Sequence, residues 1–314
     1  MRGSPLWSRQ QPGGIFVMSD LGATTGDIWF VDSATGTDGA GNGRDPDKPV
    51  ATLDYIIASA TANKGDRIYV MPNHAETITG VGGLALDIAG IQIIGLGEFN
   101  QRPRLLMDGA DTVTCAISAA DVTVQNIVFA SGTADTVAAI VVTAKGARLL
   151  DLEFEDNTTD EDWLTPIKAT STTDNNADGL TVARCRWGSL TASGLEFIEI
   201  NANLDWLTVE DNLVIHEGTA SPLVLWAGTK LSRFARIRRN DISHKDTDAT
   251  NGLLSNGGST NSGIVADNNC GHADVTTDHG ALGITGLGFR LFNNRSVSTG
   301  SLSGFVLPAI DVDS

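Results

Sequence analysis

Cysteine is scarce in this 314-residue chain, and so are methionine and tyrosine, with three, four and two residues respectively. The three cysteines, Cys115, Cys185 and Cys270, lie far apart. Their odd number and wide spacing predict neither a disulfide framework nor a zinc site. We therefore expect Cys185 to be a small buried apolar side chain, and we expect the chain to be made and folded in a reducing cytoplasm.

Basic residues are outnumbered by acidic ones, and long apolar runs are absent. The chain has 21 Lys and Arg against 38 Asp and Glu, a net charge of −17, which argues against nucleic-acid binding because that needs a basic face. No run of 18 apolar residues occurs, so we expect no membrane-spanning segment. The first residues lack a charged-then-apolar signal peptide, and we expect none.

Histidine is rare, with five residues in all, and their spacing fits no metal-ligand motif. We therefore predict no metal site and no cofactor. His216, His244 and His272 follow one another at a constant step, which would stack them in a row on the outside of a repeating structure. We interpret this spacing as a shared preference for turns; a pH-sensitive or metal-capturing row is the alternative.

What the chain does have is a repeat in its second half. Six-residue segments with mostly apolar first and third positions recur every 25 to 33 residues, beginning at Val122, Ala147, Leu180, Leu207, Ala235, Gly263 and Phe289. The alternation puts positions one and three on one face of a short strand. The many Val, Ile, Thr, Asn and Asp residues, with 35 Gly, disfavour a helical solenoid. The repeat thus predicts an all-β solenoid of about nine stacked coils.

The sixth position of each segment lies where the strand ends. It is occupied in turn by Ile127, Leu152, Cys185, Asn212, Asn240, Asn268 and Asn294. An Asn amide can bond both to the main chain and to a like Asn in the next coil. We predict an internal ladder at this turn, with the earlier members as its aliphatic continuation; the alternative is that Asn only ends each strand.

The ends of the chain differ from the repeat. Residues 1–27 have no periodicity, and we predict an extended N-terminal arm that docks through Leu6, Trp7, Arg9, Ile15 and Phe16, since aromatic anchors are typical of interfaces; a disordered terminus is the alternative. Residues 28–64 are predicted to form a lead strand, a Gly/Asp loop and a capping helix whose N-cap is Thr52. Residues 65–295 form the predicted β-helix, and residues 296–314 a C-terminal cap or tail.

Several short segments near the start carry a family resemblance. They are Trp29–Asp32, Gly43–Pro49, Ala51–Leu53, Gly65–Pro72 and His74–Ile78. They resemble the opening of pectate-lyase-like right-handed parallel β-helix proteins, and the Gly-Asp-x-Ile-x-Val-x-Pro pattern is especially similar to β-helix proteins of tailed bacteriophages. With the repeat, the resemblance covers about residues 28–295. It implies a right-handed parallel β-helix, a fold that in this family serves polysaccharide lyases and hydrolases, trimeric tailspikes and trimeric capsid decoration proteins.

The catalytic motifs of that family are matched only loosely here. Asp278–Gly280 and Arg236–Arg238 are the nearest counterparts of the Gly-His-Gly and Arg-x-Lys segments of the hydrolases, and we predict no catalytic residues. Candidate carboxylates on neighbouring coils form no distinctive motif; they are Asp178, Glu199, Asp205, Glu210 and Asp211. Trp206 directly precedes a core position, so it could point outward and offer a platform for a sugar.

We predict a structural protein of the bacteriophage virion, made in the bacterial host cytoplasm. The short solenoid, acidic exterior, aromatic-bearing arm and missing catalytic motif favour a homotrimeric capsid decoration or cement protein, with the arm on the major capsid protein. Neither nucleic acid nor membrane is expected as a partner. The alternatives are a tailspike-like polysaccharide lyase or glycoside hydrolase, and a non-catalytic receptor- or glycan-binding protein.

Overall fold

The computed structural model describes most of the chain. The described residues are 8–11, 14–17, 24–80, 83–171, 176–218, 223–245, 254–256, 261–272, 288–298 and 305–306. They form an all-β parallel solenoid with almost no helix. In this part of the chain, no helix is long and apolar enough to cross a lipid bilayer.

Three sheets run along the solenoid, and each complete coil adds one strand to each sheet. Sheet 1 contains Ile28–Val31, Arg67–Val70, Gln92–Gly95, Thr123–Gln125, Arg148–Leu150, Thr181–Ala183, Thr208–Glu210, Ala235–Arg238, Ser262–Ala266 and Gly288–Phe292. Sheet 2 contains Ala75–Thr79, Arg104–Asp108, Val128–Ser131, Glu153–Glu155, Arg186–Gly188, Leu213–His216, Asp241–His244, Asn269–His272, Asn294–Ser298 and Phe305–Val306. Sheet 3 contains Leu84–Leu86, Cys115–Ile117, Ile140–Val142, Ile167–Thr170, Ile198–Asn201, Val224–Trp226 and Leu254–Asn256.

Strand pairing is parallel throughout the three sheets, except where Phe305–Val306 pairs antiparallel with Asn294–Ser298. Because sheet 3 has a strand in only seven described coils, the structure describes about seven complete turns, and the predicted count of nine is not confirmed. A minor sheet pairs Leu204–Asp205 with Ser232–Arg233. The residues of one strand therefore lie directly above their counterparts in the preceding coil.

The core fills the inside of the solenoid with columns of like side chains. One column of sheet 1 consists of Ile68, Ile93, Val124, Leu149, Val182, Val209, Ile237 and Val265, all buried. In sheet 2, Phe129 stacks on Phe154 with ring centroids 5.8 Å apart. Each strand is too short to bury its apolar face alone, so stacking of coils supplies the core.

The predicted Asn positions form an unbroken buried column at the turn between sheets 1 and 2. The side-chain oxygen of Asn240 accepts bonds from the backbone N–H of Asn212 at 3.1 Å and from its Nδ2 at 2.8 Å, and Asn240 Nδ2 donates to Val209 O at 3.0 Å. Asn268 and Asn294 repeat the pattern. The column ends at Cys185, whose backbone N–H donates to Asn212.

All three cysteines are free and buried in this core. Burial raises the pKa of each thiol to about 12, so the thiols remain protonated and unreactive at neutral pH.

The start of the solenoid carries the only described α-helix, Leu53–Ile57, and a 3₁₀ turn follows at Phe99–Gln101. The Thr52 side chain accepts a bond from Tyr55 N, and the helix buries Leu53, Ile56 and Ile57. Its role as an end cap stays a prediction. Glu76 accepts bonds from Leu53 N and from His74 Nε2, while His74 Nδ1 accepts one from Ser33 N. The His74–Ile78 segment thus ties the helix and the preceding loop to the first coil.

The predicted N-terminal arm contains a small antiparallel hairpin, in which Ser8–Gln11 pairs with Gly14–Val17. Arg9, Ile15 and Phe16 lie on its strands, and only their backbone is described; Leu6 and Trp7 lie outside the described residues. Near the end of this region, Thr24 Oγ1 donates to Gly65 O at 2.6 Å, and Asp27 pairs with Arg44 at 2.8 Å. Residues from 24 onward are therefore bonded to the body of the solenoid.

Candidate functional site

The tight corner that leads into sheet 1 has the same backbone geometry in successive coils. The strand register aligns one residue per coil at this corner: Gly65, Gly90, Asp121, Gly146, Gly179, Trp206 and Phe234. All have a positive φ between 60° and 80°. Gly adopts this left-handed conformation without steric cost and Asp does so more readily than most residues. Trp206 and Phe234 are the exceptions, because a bulky side chain there costs roughly 1–2 kcal/mol.

Trp206 and Phe234 stack on each other on the outside of the solenoid, and we call this pair the aromatic platform. Their ring centroids are 4.5 Å apart with an interplanar angle of 17°. Each side chain is 53% exposed, so the pair fills no part of the core. Two large aromatic residues therefore occupy a strained backbone position and still leave about half of their surface in water.

A cavity of about 400 Å³ lies beside the platform. The next two residues in the corner row are Ser262 and Gly288, whose small side chains leave space above Phe234. Gly263 belongs to the lining, and a Cβ atom there would lie 2.0 Å from Ala235 O. The described residues that line the cavity are Trp206, Phe234, Ala235, Arg236, Ser262, Gly263, Ile264, Gly288 and Arg290. The arrangement can accept a flat ligand against the aromatic rings and hold it by polar groups at the side.

A second, larger groove of about 650 Å³ lies on sheet 2, but its charges are mostly satisfied internally. Arg102 pairs with Glu153 at 2.6 Å, and Arg104 pairs with Glu155 at 3.3 Å. Phe99 stands at its edge, 87% exposed. Arg186 also lines the groove, and its side chain makes no bond among the described residues.

Two carboxyl groups with different surroundings lie at the start of a sheet 3 strand. Glu196 is 2% exposed and accepts a bond from Thr165 Oγ1 at 3.2 Å. Burial, reinforced by the nearby Glu199, raises the pKa of Glu196 to about 7, whereas Glu199 pairs with Lys168 at 2.5 Å. Two such carboxyls are the groups that acid–base chemistry uses, but the burial of Glu196 keeps it from a chain bound outside.

Asp156 is a further buried carboxyl, and its bonds close the loops between sheets 2 and 3. It accepts bonds from the backbone N–H of Trp163 at 3.2 Å and of Leu190 at 2.8 Å. Burial raises its pKa to about 6. These bonds explain the residue structurally.

The other carboxylates considered from the sequence take part in coil-to-coil contacts. Asp205 pairs with Arg233 at 2.6 Å, and Glu210 pairs with Arg238 at 2.7 Å. Asp211 pairs with Arg239, which holds the pKa of this carboxyl below its usual value. Asp178 accepts a bond from the backbone N–H of Asp205. Asp278–Gly280 lies outside the described residues.

The outside row of histidines that the spacing allowed does not form among the residues whose side chains are described. His216 and His244 do stack, with ring centroids 5.0 Å apart, but both are buried. Their Nε2 atoms donate to Leu195 O at 2.6 Å and Gly218 O at 2.7 Å. The strand Leu213–His216 alternates so that Val214 and His216 face inward. No group of three or more potential metal ligands occurs in the described residues.

Sequence reasoning found Trp206 as an outward side chain but missed Phe234. Both residues directly precede the buried residue that opens a sheet 1 coil, so the same offset from the repeat would have located Phe234. Arg290 was missed as well, because nothing local in the sequence relates it to a tryptophan 84 positions earlier.

No protein-family model matches this chain, and no curated protein sequence matches it. Solved structures do resemble it. A GH136 lacto-N-biosidase from Eubacterium ramulus has a TM-score of 0.51 at 11% identity, over 87% of this chain and 67% of that one. A rhamnogalacturonan lyase has a TM-score of 0.41 at 12% identity, over 86% and 68%. At these identities the likeness concerns the fold alone, a parallel β-helix.

Proposed function

We propose that this protein binds glycans and that a saccharide ring stacks on the aromatic platform of Trp206 and Phe234. The observation that carries the proposal is the pair of stacked, half-exposed aromatic rings held in left-handed backbone. Strained backbone of this kind persists when the surrounding structure enforces it, and it is concentrated at functional sites.

The shape of the site suits a sugar. The C–H face of a pyranose ring is flat and weakly apolar, and it stacks on indole and phenyl rings. The cavity of about 400 Å³ falls within the range of small-ligand pockets. Ser262 belongs to the lining and carries a hydroxyl group, and Arg236 and Arg290 carry N–H groups that can donate hydrogen bonds to sugar oxygens.

Binding, without cleavage, is the activity that this site supports. Glycosidic bond hydrolysis ordinarily needs two carboxyl groups, one on either side of the bond, and the nine described residues that line the cavity include none. Glu196 and Glu199 belong to sheet 3, and Glu196 is buried. A non-catalytic glycan-binding role was one of the alternatives that the sequence left open.

The experiment is a binding screen on a glycan array, followed by calorimetry with the best ligand. Trp206→Ala is expected to weaken binding at least tenfold, about 1.4 kcal/mol, because the larger ring of the platform is lost. Trp206→Asn should do the same without loss of fold, because Asn adopts left-handed backbone readily. Thermal unfolding checks the fold of each variant.

Phe99→Ala is the matched control. Phe99 is also an exposed aromatic residue in left-handed backbone, with φ of 51°, but it lies at the edge of the sheet 2 groove. Its variant should bind as the wild type does. Equal losses for Trp206→Ala and Phe99→Ala, or no glycan bound by the wild type, would contradict the proposal.

A further inference from the structure

The charge around the aromatic platform is the opposite of what the composition leads one to expect. The chain carries 38 acidic and 21 basic residues, yet the described residues that line the cavity include two arginines, Arg236 and Arg290, and no acidic residue. Both arginines are exposed. Among the residues that the structure describes, neither side chain makes an ion pair or a hydrogen bond.

Neighbouring arginines behave differently. Arg233 and Arg239 each pair with a carboxylate of the preceding coil, Asp205 and Asp211, by two bonds of 2.6–2.9 Å. The coil-to-coil spacing thus allows an arginine on this side of the solenoid to find an acid whenever the sequence places one below it. The residue that lies below Arg236 is Thr208, and the one below Arg290 is Ile264.

The two arginines stand on one side of the cavity. Thr208, Arg236, Ile264 and Arg290 are in register along the outer face of sheet 1, so Arg236 and Arg290 start about 10 Å apart, twice the spacing of neighbouring strands. The parallel row that starts two residues earlier contains Trp206, Phe234, Ser262 and Gly288. A ligand on the aromatic rings therefore has guanidinium groups beside it and small residues beneath it.

We infer that the glycan bound by the platform is acidic, with its carboxylate or sulfate groups on Arg236 and Arg290; this inference rests on the proposed function. A guanidinium group presents a planar fork of donors that matches the two oxygens of a carboxylate or sulfate. The bond is stronger beside an aromatic surface that excludes water than in free solution. A long polyphosphate such as nucleic acid is disfavoured by the net charge of −17.

The test measures binding by calorimetry with three oligosaccharides of equal length. One is a uronic acid oligomer, one is the same oligomer with its carboxyl groups reduced to alcohols, and one is a sulfated form of the reduced oligomer. The wild type should bind the best acidic form at least tenfold more tightly than the reduced form. The uronate and sulfated arms distinguish the two sources of negative charge.

The double variant R236Q/R290Q should lose this preference and bind the acidic and reduced forms equally. Arg148→Gln is the matched control, since Arg148 lies in the same outer row of sheet 1, three coils before Arg236, is exposed and forms no described ion pair. It should keep the preference. Trp206→Ala should weaken the binding of every form.

The outcomes separate the two claims. If the wild type binds the acidic and reduced oligomers with equal affinity, and Trp206→Ala loses this binding, the proposal of an acidic ligand is overturned. The proposal of glycan binding then remains. Binding of single-stranded DNA but of no oligosaccharide would overturn both, and so would no binding at all. An acidic preference that survives in R236Q/R290Q, or that Arg148→Gln also abolishes, would overturn the assignment to these two arginines.

Discussion

A bulky side chain in left-handed backbone is costly, and this cost is what marks Trp206 and Phe234. The corner row tolerates Gly and Asp in the coils before them, so the fold itself does not require aromatic residues there. Stacking of the two rings returns part of the cost, about 0.5–1.5 kcal/mol. The rest of this conformational cost is not offset within the fold, which suggests that the two rings bind a ligand. The binding experiment tests this.

The turn between sheets 1 and 2 also uses left-handed backbone, at Asp151, Arg184, Asp211 and Arg239 among others. At this turn, ion pairs within the fold explain the arginines in left-handed backbone. Arg184 donates two bonds to Asp151, at 2.7 and 2.9 Å, and Arg239 pairs in the same way with Asp211. The arginines of this turn are therefore explained by the fold, in contrast to the two beside the platform.

Glu196 gives a pH-dependent prediction. Its pKa in the folded chain is about 7, against 4.5 for an ordinary Glu, so the folded state binds the proton more tightly than the unfolded state. Stability should fall as the pH rises from about 4.5 to 7, and above that range the ionised carboxyl should cost up to about 3 kcal/mol. Glu196→Gln keeps an acceptor for Thr165 without the charge. The variant should therefore be more stable than the wild type at pH 8 and similar to it at pH 4.5.

Urea unfolding at the two pH values measures this difference. Glu98→Gln, the same substitution at a less buried residue, serves as the control and should show no such change with pH. A gain for Glu196→Gln that is equal at both pH values would show that burial of charge is not its cause.

At the level of elements, the Asn column joins the coils from Cys185 to Asn294. Asn240→Ala would leave the backbone N–H of Asn212 and the carbonyl of Val209 without their partners inside the core. Each unsatisfied buried group costs about 1–3 kcal/mol. We therefore expect a loss of about 3–5 kcal/mol in the free energy of unfolding, measured by urea denaturation.

Asn269→Ala is the matched control for this prediction. Asn269 is the exposed neighbour of Asn268 and makes a single side-chain bond, to Asp241 at 2.7 Å. Its loss should cost less than about 1 kcal/mol, the usual range for a surface contact. Comparable losses in the two variants would mean that the column adds little to what stacking of the apolar core provides.

At the level of the whole molecule, the capsid-decoration role stays a proposal about the N-terminal region. Because Thr24 and Asp27 are bonded to the body, the deletion that tests it should remove residues 1–23 and retain the rest. We expect the truncated protein to keep its thermal unfolding transition and to lose attachment to phage heads in a co-sedimentation assay. Full attachment after truncation would exclude docking through Leu6, Trp7, Arg9, Ile15 and Phe16.

The repeat was enough to predict the strands of the second half, because a strand that must stack on its neighbours keeps its apolar positions at a constant offset. The residues Asn212 to Asn294 were recognised for the same reason. The inward orientation of the His216 side chain was not recognised, because a shift of one residue along a strand moves a side chain to the other face of the sheet. The predicted count of nine coils is not confirmed, because sheet 3 has a strand in only seven described coils while sheets 1 and 2 have ten each.

The sequence by itself therefore determined the class of fold, the columns of core side chains and the outward side chain of Trp206, all of which depend on local alternation and a regular period. Only the tertiary structure decided which outward residues meet. Phe234, Ile264 and Arg290 come beside Trp206 because winding of the chain converts separations of about one coil into strand spacings of about 4.8 Å. The unpaired arginines became visible at the same level, since an ion pair between coils depends on which residue lies directly below.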